Sequence, residues 1–428
     1  MNTLASSTIM TMPVAEPTPQ QLKRDLRAAE TRKRLGALAL IAPLAIFLLL
    51  TFVAPIVFLL QRAIENPEIA GTLPHTVTAL AKWDRKSMPP EQAYVALSTD
   101  LLKAREDSTA GPLARRMNSE LAGSRSLIMG TARALPLLDS AGQPLTQPAQ
   151  IKAALIELNE QWGQPESWQV IAKNGARYSP YYLLASLDLK QDAFGAISAV
   201  DEQSAIFRNI FGRTLWMSLV VTLCALLLAY PLAYWLSTMS ERRANLLMIL
   251  VLIPFWTSIL VRVAAWIVLL QSEGLVNKAL MLSGLTHSPL ELVFNRVGVY
   301  ISMTHILLPF MILPLYSVMK AVPPTYLKAA ISLGSHPFAA FWRVYVPQTY
   351  PGISAGVLLV FIMAGGYYIT PTLLGGPNEQ MVSYFIAYFI NNTINWGMAC
   401  ALGALLLTAT LVLYGVYRRF ANTDTGIA

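Results

Sequence analysis

The chain has 428 residues, of which 54% are apolar and only 13% charged, with a formal net charge of +8. Soluble domains average roughly 25% charged residues, and a mean hydropathy of +0.47 is high for one, so an ordinary soluble globular protein is excluded and a membrane protein is indicated. The two cysteines, Cys224 and Cys400, fall inside apolar runs with no CxxC or Cys/His spacing, and read as small packing residues.

In chain order, residues 1–34 form a polar, basic cytoplasmic tail whose first 20 or so residues, proline-bearing and polar, read as mobile. The first apolar run, 35–60, is too long for the core of a signal peptide, and its exit, LLQRAIENPE, offers no small-residue cleavage site, so it is expected to be retained as a span. A bilayer core requires roughly 20 consecutive apolar residues. Five further stretches qualify: Phe211–Thr238, Leu246–Leu270, Gly298–Met319, Gly352–Leu374 and Ala399–Tyr417. Kinks are expected at the interior prolines Pro43, Pro55, Pro231, Pro254, Pro309 and Pro314, which membrane spans tolerate because neighbouring helices re-satisfy the backbone.

Between the first two spans lies an insertion, 61–207, with near-balanced acids and bases and no cysteine. Apolar residues recur at helical spacing in EQAYVALSTDLLKARED, PLARRMNSELAGSRSLIMGTARALP and PAQIKAALIELNEQW, predicting a mainly helical domain with Trp83, Trp162 and Trp168 as core aromatics. It reads equally as an inert cap and as a dock for a soluble partner.

Short loops carry the basic residues on one side of the membrane: Lys23, Arg24, Arg27, Arg32, Lys33 and Arg34 before the first span, then Arg242, Arg243, Lys320, Lys328 and Arg343, and finally Arg418 and Arg419. Positive residues stay inside, so both termini are expected in the cytoplasm and the insertion outside. The charge reports topology and anionic lipid, and no nucleic-acid partner is expected because no basic stripe lies on a soluble domain.

No G-x-x-x-x-G-K-[ST] loop is present to cradle ATP, the four histidines are scattered without metal-ligand spacing, and no G-x-S-x-G elbow occurs. No catalytic residue, metal site or bound cofactor is therefore expected on this chain. Attention falls on the loop 321–349. Pro324 suits a first helical turn, a short helix can run from Thr325 through Leu333, Gly334 fits the left-handed position that ends it, and Pro337 starts a second helix ending before Pro347. Ala329, Ala330 and Gly334 keep one side low, so another protein can approach closely.

Ala329-Ala330, Gly334 and Val346-Pro347 resemble the "EAA" loop of permease subunits of bacterial ABC importers. The stretches NIFGRTLWMSLVVTLCALLLAYPLAYWLS, LVLIPFWTSILVRVAAWIVLL, THILLPFMILPLY and AGGYYITPTLLGGPNEQM are similar to spermidine/putrescine-type permeases. The resemblance covers the membrane region and implies an all-α membrane protein. Its expected fold is the six-helix permease fold of type I importers in the bacterial inner membrane, with the permease domain at 208–420 and a cytoplasmic tail at 421–428.

It further implies a coupling element at Lys328, Ala329, Ala330, Gly334, Arg343 and Pro347 that docks separate ATPase subunits, which carry the ATP and Mg. A second, different permease subunit and a periplasmic substrate-binding protein complete the expected assembly. Lys328 departs from the pattern, because the family has an acid there. The implied cargo is a polyamine or a related amine or amino-acid-like solute.

Polar and aromatic residues within the spans mark a candidate pathway: Phe255, Trp256 and Thr257 beside Pro254; Arg262, costly in hydrocarbon; and Tyr367, Tyr368 and Thr370 beside Pro371. Each also fits packing or an interfacial belt. The spans hold no interior carboxylate for a polycation; Glu273, Glu291 and Glu379 are assigned to outer loops. Gly352-x-x-x-Gly356 permits close helix approach, with a subunit interface as one reading. A secondary transporter, a channel or a membrane receptor are the competing classes.

Overall fold

A computed structural model describes residues 19–139, 141–192 and 194–423. The expected mobile tail over 1–18 and the last residues, 424–428, lie outside the described residues.

The first helical segment is longer than its apolar centre. It comprises α1 (Pro19–Leu48), a π-turn over Leu49–Val53 and α2 (Ala54–Arg62), so the basic residues before the apolar run are helical and continuous with the span. Two compact units divide at Phe58/Leu59. The remaining helices and strands belong to the second.

Among its described residues the insertion packs seven short α-helices: α3 (Pro74–Ala79), α4 (Glu91–Glu106), α5 (Ala110–Asn118), α6 (Ser124–Ala134), α7 (Pro148–Leu158), α8 (Pro165–Lys173) and α9 (Tyr181–Ser186). The second of the three helical windows is split into α5 and α6 because Gly123 adopts φ +90°, a left-handed conformation that glycine takes without a Cβ clash. A small antiparallel hairpin, β1 (Leu189–Gln191) and β2 (Ile197–Ala199), closes the insertion. Its core is aromatic. Trp162 and Trp168 are fully buried with ring centroids 5.2 Å apart, and Trp168 donates through Nε1 to the Trp162 carbonyl at 3.0 Å. Trp83 packs at the edge of that core, half-buried, with its Nε1 on the Ser87 carbonyl.

The membrane region follows as α10 (Phe207–Thr238), α11 (Glu241–Leu252), α12 (Ile259–Leu270), α13 (Leu275–Leu282), α14 (Arg296–Ala321), α15 (Pro324–Ser332), α16 (Pro337–Ala340), α17 (Val346–Gln348), α18 (Tyr350–Gly366), α19 (Ile369–Leu374), α20 (Val382–Asn391) and α21 (Trp396–Thr423). Among the described residues, five helical stretches are long and apolar enough to cross a membrane, Ala29–Arg62, Phe207–Thr238, Ile259–Leu282, Arg296–Ala321 and Trp396–Arg419, and six if the pair Pro337–Gln348 and Tyr350–Gly366, bent by 62°, is counted as one. Pro231, Pro309 and Pro314 sit inside continuous helices. Pro254 does not: the expected third span, Leu246–Leu270, is interrupted by a 3-10 turn over Ile253–Trp256 and an extended Thr257. Proline has no N–H to give the preceding turn and its ring crowds that turn's carbonyl, and here the chain breaks instead of bending. The fifth expected span, Gly352–Leu374, likewise stops at Gly366 and resumes as α19 after extended Tyr367.

Helices α10, α14 and α18 pack on one another through Met217, Val221, Ala225, Ala229, Met303, Leu307, Met311 and Val360, all fully buried. The small-residue pair works inside the chain and not, as one sequence reading had it, between subunits. A Cβ on Gly356 would meet Met311 Sδ at 2.7 Å, and one on Gly352 would meet Val318 Cβ at 3.0 Å. Those glycines let α18 approach α14 closely enough for backbone and side chain to interlock.

Candidate functional site

The loop between α14 and α18 has two halves with opposite character. Pro323 stands extended before α15 and Pro324 fills its first turn, where a missing N–H leaves no intrahelical bond unmade. Gly334 ends the helix at φ +91°. Its N–H reaches the Ile331 carbonyl at 2.9 Å while Ser335 N–H reaches Ala330 at 3.1 Å, the paired bonds of a Schellman cap. His336 then caps the next helix, accepting Phe338 N–H on Nδ1 at 3.3 Å. The second helical stretch does not end before Pro347. It runs from α16 through a π-turn at Phe341–Tyr345 into α17, with Pro347 inside the last turn, where its ring meets no intact preceding turn.

That second half is anchored. Phe341 and Tyr345 stack at 5.4 Å, and Tyr234 of α10 meets both edge-on at 5.3 and 5.2 Å. Tyr230 bonds Thr349 Oγ1 at 3.1 Å, and Lys320 Nζ reaches the Met239 carbonyl at 3.1 Å. Helix α15, by contrast, has no buried residue. Tyr326, Lys328, Ala329, Ile331 and the 89%-exposed Leu333 are exposed, as are Phe338, Trp342 and Arg343 on the adjoining turns, while Ala330 and Pro347 are half-buried. An apolar helix face held on a rigid aromatic wedge and left uncovered is the geometry of a docking element.

The pathway candidates separate into two groups. Arg262 of α12, Tyr367 at the break after α18 and Thr370 of α19 belong to one region, since Tyr367 packs against the cluster that holds Val263 of α12 and Leu374 of α19. Arg262 Nε, Tyr367 OH and Thr370 Oγ1 are all buried and none completes a hydrogen bond. Buried polar atoms are almost always partnered, so three orphans in one place mark a polar spot in an apolar bundle. His305 accepts the Trp266 indole N–H at 3.3 Å.

The remaining candidates stand elsewhere. Phe255 packs edge-on against Phe310 at 4.8 Å, Thr257 turns back to the Pro254 carbonyl, and Trp256 and Tyr368 are exposed, Trp256 by 89%.

Sequence reasoning missed a charge cluster at the far end of the same helices. Glu379, assigned to an outer loop, is largely buried: it accepts Gly376 N–H at 3.1 Å and pairs with Arg296 Nε at 3.5 Å, while Arg213 of α10 donates to the Asn378 carbonyl. The signal available was Gly375-Gly376-Pro377. A Cβ on Gly376 would meet Glu379 Oε2 at 2.9 Å and the Phe294 carbonyl at 3.0 Å, so the turn closes only with glycine. This carboxylate is thus already paired with arginine.

Comparison with known proteins covers this membrane region. The pattern of the family "Binding-protein-dependent transport system inner membrane component" matches residues 193–423. The chain is 35% identical over 226 residues to the spermidine/putrescine transport system permease protein PotB of Haemophilus influenzae, covering 51% of this chain and 78% of that one. It is 32% identical over 214 residues to PotB of Escherichia coli strain K12, covering 50% and 78%. The inner membrane ABC transporter permease protein YdcU of the same strain is 31% identical over 219 residues, covering 48% and 66%. Among solved structures, a chain of a bacterial ABC transporter that imports the acidic polysaccharide alginate aligns with a TM-score of 0.42 at 18% identity, covering 51% of this chain and 80% of that one.

Proposed function

This chain belongs to the family of binding-protein-dependent transport system inner membrane components and is a permease subunit of an ABC importer, a transport component whose ATPase is a separate subunit; on that premise we propose that α15 is where the ATPase docks. The observation that carries the reading is the uncovered α15 face on an anchored wedge. Closure of the ATPase pair around Mg-ATP pulls α15, and the Phe341–Tyr345 wedge passes the movement to α10 through Tyr234. The spans then exchange outward for inward access as largely rigid bodies. ATP supplies the bias by binding the closed state better, so this chain transmits work and carries out no covalent step.

The path includes Arg262, Tyr367 and Thr370. The broken helices at Pro254 and Tyr367 support this, since irregular backbone at membrane depth is tolerated where it lines a cavity. The relatives named for spermidine and putrescine make a polyamine or a related amine the proposed cargo. Because Glu379 is neutralised and Arg262 is cationic, carboxylates for an amine would come from a second, different permease subunit and from the binding protein. Both termini and α15 face the cytoplasm and the insertion faces the periplasm in this arrangement.

The test is copurification of the chain with its ATPase subunit, followed by ATP hydrolysis and putrescine uptake in liposomes supplied with the loaded binding protein. Association and stimulated hydrolysis are expected. Uptake that proceeds without any ATPase would sink the docking role and favour a secondary transporter.

A further inference from the structure

Helices α5 and α6 of the insertion pack side by side, and an open groove of about 560 Å³ lies between them. Ala114, Arg115 and Asn118 from α5 line it opposite Met129, Gly130 and Arg133 from α6. Both triplets have the spacing i, i+1, i+4, so each is a single helical face. Asn118 fixes the two walls: its Oδ1 accepts the N–H of Gly123 at 3.1 Å and of Arg125 at 3.3 Å, which ties the end of α5 to the start of α6.

The charge in the groove is of one sign. Arg115, Arg125 and Arg133 line it, all three exposed, and no carboxylate does. Among the described residues none of these guanidinium groups makes an ion pair or a hydrogen bond. Glu120, the acid nearest to them in sequence, is spent on Arg116 at 2.8 Å and on Lys173. The floor, moreover, is lower than the fold requires. Gly130 stands in the middle of α6, where glycine is the poorest helix former after proline, yet a Cβ there would meet nothing within 4 Å. The same open space surrounds Gly111 in the first turn of α5, which also lines the groove. Packing within the chain demands neither glycine; what their missing side chains provide is room for another chain to come close.

We propose that the α5–α6 groove docks an acidic helix of a soluble protein partner. Arg125 and Arg133 are eight positions apart, ~12 Å along α6, a spacing matched by carboxylates two i, i+4 steps apart on a facing helix. Arginine presents a fixed fork of donors that suits such carboxylates. The glycine and alanine floor lets a helix settle between α5 and α6, an advantage that a flat lipid surface could not use. No aromatic ring lines the groove, so a sugar or a nucleobase would find nothing to stack on. The inference concerns the insertion alone and depends neither on the cargo nor on α15.

The probes are a fluorescent alanine-rich helical peptide with glutamate at every fourth position, its glutamine counterpart, and labelled polyphosphate, each titrated by anisotropy into the full-length protein in neutral detergent. Saturable binding of the glutamate helix is expected, at least tenfold weaker for the glutamine helix and for the double variant Arg115→Gln/Arg133→Gln. Gly130→Leu, with open space around it and a better helix former in place, should keep or raise the thermal unfolding midpoint. It should nevertheless weaken the glutamate helix at least tenfold by filling the floor, and leave polyphosphate binding unchanged. No saturable binding of the glutamate helix to the wild type overturns the groove as a docking surface. Unchanged affinity in Gly130→Leu does so equally, because the arginines would then be holding the peptide without the groove. A polyphosphate affinity that falls in Gly130→Leu as far as the peptide's overturns the helix as the occupant.

Discussion

Asp188 accepts the backbone N–H of Arg208 at 2.7 Å, and with its other oxygen those of Ile206 and Phe207 at 3.1 and 3.0 Å. A helix leaves its first N–H groups unbonded, and Ile206, at the N-cap of α10, has no side chain that can serve them. The turn between α9 and β1 therefore caps the next span, with the carboxylate buried to 2% exposure and its charge on the positive end of the helix. Asp188 takes the left-handed φ of +57° that aims it there, a conformation aspartate tolerates better than most. The insertion is bolted to the membrane helix rather than tethered to it.

Removing that cap with Asp188→Ala should destabilise the purified protein by about 1–2 kcal/mol. Asp188→Asn, which keeps one acceptor oxygen, should lose less. Thermal unfolding of the two variants checks the order; an unchanged midpoint in Asp188→Ala would remove the cap from the account.

The same junction is locked by shape. A Cβ on Gly397 would lie 2.5 Å from Tyr182 Cζ, so Gly397→Ala should cost about 1–3 kcal/mol through overpacking. In a Tyr182→Ala background the same substitution should cost almost nothing. Equal costs in both backgrounds would show that the ring is not what the methyl group strikes.

Stability of the insertion should fall in alkali. Burial pushes the Tyr94 phenol from its ordinary 10.0 up to about 12, while its hydroxyl donates to the Trp162 carbonyl at 3.0 Å. The unfolded chain ionises first, so the contribution is fully present below about pH 10 and is lost as pH rises towards 12. Burial raises Tyr181 and Tyr182 as well, which adds to the slope in the same direction. Denaturant midpoints measured across that window should decline less steeply in Tyr94→Phe; identical slopes would contradict the assignment.

Within the proposed path, Arg262→Met should lower uptake at least tenfold, equivalent to about 1.4 kcal/mol, while leaving assembly with the ATPase intact. Uptake and copurification measured side by side make the distinction. Wild-type uptake in the variant would take Arg262 out of the path.

At the proposed docking face, Leu333→Asp should abolish ATPase association, because a charge would replace an 89%-exposed leucine on the face proposed to meet the partner. Lys328 is exposed and makes no ion pair among the described residues, which leaves its charge for the partner. Lys328→Glu should then weaken association about tenfold. Equal or tighter binding would mean that this ATPase expects the acid found at that position in the family.

The sequence by itself determined the class and the helix-turn-helix form of the loop 321–349. Apolar runs of bilayer length, basic residues gathered in the short loops, and the punctuation Pro324, Gly334, Pro337 are signals whose cause lies within a few positions, since proline fixes its own φ and glycine alone frees it. The helical insertion and its two buried tryptophans were legible for the same reason of period. Tertiary structure alone decided whether Pro254 bends or breaks its helix, because hydropathy runs unbroken through Leu246–Leu270. It alone sent Gly352 and Gly356 against α14, neutralised Glu379 with Arg296, and gathered Arg262 with Tyr367 and Thr370. Those pairings join residues far apart in the chain, and whether a buried polar atom finds a partner depends on which helix faces it. Asp188 reads in sequence as one acid among several, and only the start of α10 folding back onto it makes it a cap.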